Sequence, residues 1–251
     1  SGAVIGQIDG LPVLYWGSND RSVYAHFAAT GGRLWSRELI PATNTLGDAV
    51  VSAPLLHDGT LYINCFVHDK AIARSEQKGW LFALDMRTGR VLWKMEVSQG
   101  PVGSPVGRMI NGKYTVFLAA RKGLVQAIDV SGDKPRRFWT YQMPHEVLAS
   151  PVLDDSEGNP TLFMGSKFGN LIALNASTGD EKWKQMAGNW IDNTACVGSV
   201  NGETVVFAGS HDYKLYAFRA SNGDKLWSRY LGGEVYSAPC FFSLEGEPHV
   251  A

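Results

Sequence analysis

Ala83-Leu84-Asp85-Met86-Arg87-Thr88-Gly89-Arg90-Val91-Leu92-Trp93 decides the fold, because the chain repeats this phrase five times. Its other forms run from Tyr24-Ala25-His26-Phe27 through Thr30-Gly31 to Trp35, and from Gln126-Ala127-Ile128-Asp129 through Ser131-Gly132 to Trp139. The last two run from Ile172-Ala173-Leu174-Asn175 through Thr178-Gly179 to Trp183, and from Tyr216-Ala217-Phe218-Arg219 through Asn222-Gly223 to Trp227. The tryptophans that close the five phrases lie 58, 46, 44 and 44 residues apart. Self-similarity at such a period marks a repeat architecture.

A second column precedes each phrase and reads small-small-Pro-apolar. It stands at Ser52-Ala53-Pro54-Leu55, Gly103-Ser104-Pro105-Val106, Ala149-Ser150-Pro151-Val152 and Ser237-Ala238-Pro239-Cys240. Thr194-Ala195-Cys196-Val197 and Ser1-Gly2-Ala3-Val4 keep the spacing without the proline. Between the columns lie hairpin turns at Asp9-Gly10, Asp58-Gly59, Asn111-Gly112, Glu157-Gly158, Asn201-Gly202 and Glu245-Gly246. Asp-Gly and Asn-Gly suit a type I′ turn, which needs positive φ at both central residues. Each repeat therefore reads as four short antiparallel strands, with no long helical period anywhere.

Four strands recurring every ~45 residues make a β-propeller blade. The expected blades span about 1–39, 52–97, 103–143, 149–186 and 194–231, with a partial sixth at 237–251. Trp35, Trp93, Trp139, Trp183 and Trp227 are expected where neighbouring blades meet, each indole burying on the order of 200 Å². Small residues suit the first strand, where blades crowd together.

The complete phrase resembles the tryptophan-docking motif of the quinoprotein-like (PQQ-like) β-propeller repeat family, over essentially the whole chain. WD40 repeats require Trp followed by Asp. Here Ser36, Lys94, Thr140, Lys184 and Ser228 follow. The family holds quinone-dependent dehydrogenases as well as non-enzymatic members, such as the lipoprotein of the outer-membrane barrel-assembly machinery. The dehydrogenases resemble one another in a vicinal Cys-Cys pair over the quinone and an acidic set holding Ca²⁺. This chain has no adjacent cysteines among Cys65, Cys196 and Cys240. The expectation is no PQQ, no Ca²⁺ and a non-enzymatic scaffold, the alternative being a PQQ-dependent oxidoreductase or its propeller portion. The resemblance also implies a bacterial, periplasmic or exported protein. Seven or eight blades would exceed 251 residues, so a single propeller domain that is part of a larger one is expected.

The three cysteines form no metal or haem spacing and read as small buried apolar residues. A net charge of −1 argues against a phosphate-backbone binder. No apolar run approaches the roughly 18 residues of a membrane span. No nucleophile elbow, HExxH or phosphate loop occurs.

Hairpin connectivity sorts the loops onto two faces. One carries the tight Gly turns. The other carries the strand two-to-three loops and the blade-to-blade segments, with insertions at 41–48 and 66–79. Insertions mark the binding face of repeat folds. That face is expected to present Asn19, Asp20, Arg21, Arg121, Lys122, Lys167, His211 and Asp212 from the two-to-three loops. The blade-to-blade segments add His145, Glu146, Trp190, Asp192, Asn193, Glu234 and Tyr236. Mixed charges interleaved with aromatics suit a protein or a small polar ligand, and not nucleic acid. A metal would need His68, His145 and His211 to converge.

Overall fold

A computed structural model describes residues 2–41, 46–69, 78–98, 100, 103–155, 158–244 and 247–251, with backbone alone at 46–50, 67–69 and 98. The chain is all-β, and its sheets are blades of a β-propeller. The first blade is Ala3–Ile8, Leu11–Gly17, Ser22–Phe27 and Arg33–Glu38, paired in chain order. The third is Val106–Ile110, Lys113–Ala119, Leu124–Asp129 and Arg136–Gln142. The fourth is Val152–Asp154, Thr161–Gly165, Asn170–Asn175 and Glu181–Met186. The fifth is Cys196–Val200, Glu203–Ser210, Lys214–Arg219 and Lys225–Tyr230. Phe241–Leu244 and Glu247–Val250 form a two-stranded sheet.

The second blade departs from the repeat. Its first strand is split into Leu46–Val51 and Leu55–His57, both paired to the long strand Thr60–Asp69. Pro54 lacks an N–H, and the ladder breaks beside it. Lys78–Asp85 and Val91–Ser98 complete the sheet. The expected insertions at 41–48 and 66–79 are corrected accordingly. Residues 46–48, 66–69 and 78–79 belong to strands, because extended backbones this close satisfy their polar groups by pairing. Residues 42–45 and 70–77 lie outside the described residues.

The turns follow from their residue types. Asp9-Gly10, Asp58-Gly59, Asn111-Gly112 and Asn201-Gly202 all have positive φ at both positions, between 42° and 80°. Glu157, Glu245 and Gly246 are not among the described residues.

Two compact bodies make up the chain: 1–105 with 132–135, and 106–131 with 136–251. The core of the first gathers Tyr15, Val23, Leu61, Ile63, Phe82 and Leu84. In the second, Thr161–Gly165 is buried throughout, as is Lys113–Ala119 beyond its first residue. Strands covered on both faces read as continuous apolar runs rather than alternating ones.

The same detail recurs in all five four-strand repeats. Ala25, Ala83, Ala127, Ala173 and Ala217 lie opposite the blade's own tryptophan, and the ladder shifts register immediately after each alanine. Such a bulge re-aims a side chain. Each indole then tilts against an aromatic of the second strand: Tyr15, Tyr62, Phe117, Phe163 and Phe207, at centroid distances of 5.7–5.9 Å. Trp35 Nε1 donates to the Met86 carbonyl at 3.0 Å, Trp139 to Ala176 at 3.0 Å and Trp183 to Ala220 at 2.8 Å. Each acceptor lies on the following blade, one residue beyond the Ala-x-Asp, Ala-x-Asn or Ala-x-Arg word. Gly89, Gly179 and Gly223, all at positive φ, lie under those same rings, so close that a Cβ would sit 2.6–2.7 Å from ring carbon.

Candidate functional site

Four strand two-to-three loops, in the first, third, fourth and fifth blades, share one frame. In three of them the first residue exchanges backbone bonds with the fifth and fourth: Ser18 with Ser22 and Arg21, Ala120 with Leu124 and Gly123, Ser166 with Asn170 and Gly169. The fourth position takes positive φ in each of the four described loops: Arg21, Gly123, Gly169 and Tyr213. Its carbonyl accepts from the next segment, at Leu39, Met143, Ala187 and Leu231 respectively. The backbone is therefore fixed, and the second and third side chains are free to differ.

The third position separates the loops into two kinds. Asp20 accepts from Ser22 N at 2.9 Å and from the Tyr24 hydroxyl at 2.5 Å. Asp212 repeats this, accepting from Lys214 N, the Tyr216 hydroxyl and Gly188 N. Burial, with the Asp212 bond, pushes the Tyr216 phenol up to about 12. These two carboxylates serve their own loops. The third blade has Lys122 at this place and the fourth has Phe168. Phe168 is 61% exposed and itself at φ 67°, within a short 3₁₀ turn at Lys167–Gly169. A bulky residue at positive φ is costly and marks a position worth a functional question.

Around Lys167 the second body assembles a continuous row. The Lys167 N–H donates to the Glu146 carbonyl at 2.9 Å, and His211 N–H to the Trp190 carbonyl at 3.0 Å. This backbone pairing sets the side chains in sequence. Lys167 Nζ lies 2.7 Å from Glu146 and 4.8 Å from the Trp190 ring centroid. The Lys167 ammonium holds the Glu146 carboxyl below its ordinary range. On one side the His145 ring meets Phe168 at 4.5 Å. On the other, Trp190 meets His211 at 5.7 Å, and His211 meets Tyr236 edge-on at 4.5 Å. His211 is 7% exposed, and its Nε2 lies 2.8 Å from Asp192 Oδ1. Tyr236 donates to Glu234. A cavity of about 550 Å³ opens among Lys122, His145, Glu146, Lys167, Phe168 and Trp190.

The row thus unites Lys122, His145, Glu146, Lys167, Trp190, Asp192, His211 and Glu234. Arg121 adds its charge near Glu146. Asn193 is buried, donating to the Gly209 and Val235 carbonyls, and is a structural clasp. Asn19 and Asp20 belong to the first body. His68 lies outside the described side chains. Among the described residues no three His, Cys, Asp or Glu side chains gather for a metal. The cysteines need correction as well. Cys65 is buried, but Cys196 is half-buried and Cys240, which directly precedes the two-stranded sheet, is exposed. Phe168 was not expected at the site. Its signal was available in the aligned loops, where an aromatic replaces the polar third residue.

Comparison with known proteins agrees with this architecture. Tetrathionate hydrolase of Acidithiobacillus ferrooxidans is 27% identical over 185 residues, covering 61% of this chain and 31% of that protein. Outer membrane protein assembly factor BamB of Nitrosomonas eutropha is 29% identical over 55% of this chain and 28% of its own length. BamB of Escherichia coli K12 is 26% identical over 65% and 37%. The chain spans about a third of the length of these relatives. The crystal structure of Moraxella catarrhalis BamB superimposes with a TM-score of 0.60 at 20% identity, over 90% of this chain and 60% of that one. The quinohemoprotein alcohol dehydrogenase ADHIIG of Pseudomonas putida HK5 gives 0.57 at 12% identity, over 95% and 60%. Both likenesses concern the fold. No helix among the described residues is long and apolar enough to cross a membrane. The family model described as outer membrane protein assembly factor BamB matches residues 19–157 and 136–248, and by its repeats, its blades and this match the chain belongs to that family.

Proposed function

We propose that this chain is a non-enzymatic recognition propeller, and that the row from His145 to Tyr236 binds a polypeptide taking part in outer-membrane protein assembly. The carrying observation is Lys167, held between Glu146 and Trp190 beside the exposed, positive-φ Phe168. A preset cation flanked by aromatic faces suits an extended segment offering carboxylate and apolar side chains in alternation. Rigid aromatic anchors with a polar rim are the usual energetic centres of protein interfaces. The names of the BamB relatives support this class of partner, and with it an exported, periplasmic location.

The oxidoreductase alternative asks for a quinone and Ca²⁺. The donor set does not fit them, because the cysteines are not adjacent and no acidic cluster gathers among the described residues. The function proposed here uses neither.

A photo-crosslinking residue at position 168, compared with one at Met109, tests the reading. Met109 is exposed beside the tight Asn111-Gly112 turn, on the opposite side of its hairpin topology. In a bacterium assembling outer-membrane proteins, position 168 is expected to give adducts to an assembly component and position 109 none. Equal labelling, or none at 168, overturns the proposal. Thermal stabilisation by quinone with Ca²⁺ would favour the oxidoreductase.

A further inference from the structure

Cys196 begins the first strand of the fifth blade, and Cys240 directly precedes the first strand of the two-stranded sheet. These two strands are neighbours within the second body. The Phe241 ring presses on Gly198, where a Cβ would come within 2.2 Å of it, and it joins Cys196 in one apolar cluster. Both sulfurs lie against the backbone of Phe241, one at its N–H and the other at its carbonyl. The Phe241 N–H faces the Cys196 sulfur, and Cys240 Sγ lies 3.9 Å from the Phe241 carbonyl. Cys240 is also held in place. Its backbone exchanges two hydrogen bonds with Ala251, at 2.7 and 3.0 Å. Cys65 is buried elsewhere, in the first body.

We propose that Cys196 and Cys240 are a disulfide-forming pair, which closes under oxidising conditions and staples the fifth blade to the last hairpin. This inference stands apart from the binding row, although the segment between the cysteines carries His211, Glu234 and Tyr236. The oxidant is a small-molecule or protein disulfide. The exposed Cys240 thiolate attacks it, forming a mixed disulfide and releasing one thiolate. The Cys196 thiolate then attacks the Cys240 sulfur and expels the second thiol. Two protein thiols lose two electrons and two protons, and one disulfide is reduced to two thiols. Burial raises the Cys196 thiol to about 11, with the nearby Cys240 adding to this. Its thiolate is scarce at neutral pH, so closure is the slow step and gains about tenfold per pH unit below that value.

The test is to treat the purified chain with oxidised glutathione, then digest it with trypsin. The expected product is a linked pair of peptides, 185–214 with 230–251, with a mass loss of two hydrogens and one remaining titratable thiol. Closing a loop of about 45 residues is expected to raise Tm by roughly 5–10 °C over the reduced form. Cys196→Ser should stop at the glutathione adduct on Cys240. A stable glutathione adduct on the unaltered chain, or disulfide-linked dimers through Cys240, would overturn the proposal.

Discussion

Trp183 shows what a single residue does here. It is 7% exposed, faces Ala173 across the ladder, tilts on Phe163, donates to the Ala220 carbonyl and rests on Gly223. Three segments meet on this one ring: its own phrase at Ala173, the second strand of its blade at Phe163, and the next repeat's phrase at Ala220 and Gly223. Trp183→Ala should therefore cost about 3–5 kcal/mol, through lost burial and an unfilled cavity. Trp183→Phe should cost less, on the order of 1–2 kcal/mol, mostly from the orphaned carbonyl. Trp227, 41% exposed and facing a two-stranded sheet, should lose clearly less than Trp183 on truncation to alanine. Urea denaturation of the three variants checks the ranking, and equal losses at 183 and 227 would contradict it. The Ala, Gly and Trp of the phrase were legible from spacing alone. The carbonyl that receives each indole was not, because an acceptor is a backbone atom that any residue can supply.

At the scale of the element, the turns are held by local side chains. Asp85 accepts from both the Thr88 amide at 2.8 Å and its hydroxyl at 2.7 Å. The Thr88 side-chain bond leads in holding the Asp85 carboxyl below its ordinary value of 3.8. The ionised form is favoured in the fold. Its stabilisation is thus complete above the unfolded value and is lost as pH falls through the lower, folded one. Asp85→Ala should cost about 1 kcal/mol at pH 7. The gap between variant and parent should close as pH drops below 3.8, and a gap unchanged in acid would show that the charge is irrelevant. The two-to-three loops divide similarly. Asp212→Ala removes a carboxylate engaged by Gly188, Lys214 and Tyr216 and should lower stability by about 1–3 kcal/mol. Lys167→Ala loses one partly exposed ion pair and one ring contact, and should stay within about 1 kcal/mol of the parent. Thermal melts of the two variants separate a loop brace from a surface group. In sequence both loops are only polar stretches. Aligning them shows that Asp20 and Asp212 share a place with Lys122 and Phe168, but the tyrosine hydroxyls that engage the two aspartates needed coordinates.

For the whole molecule, the repeat was legible because period, turn chemistry and the Ala-Trp pairing agree at every level. The site was legible only in part. Hairpin connectivity groups Lys167, Glu146, Trp190 and His211, and in the structure their side chains contact one another in sequence. Their order within the row depends on two backbone bonds, Lys167 to Glu146 and His211 to Trp190, which carry no residue signature. The second blade was misread because its strands outrun the repeat, so that paired backbone looked like an insertion. The proposed row binds a polypeptide while the blades remain intact beneath it. Its most direct test is the affinity of a Lys167→Glu, Phe168→Ala double variant for the polypeptide crosslinked at position 168, with Tm measured on the same preparation. Affinity is expected to fall at least tenfold, with Tm within about 3 °C of the parent. Unchanged affinity in the folded variant would contradict it.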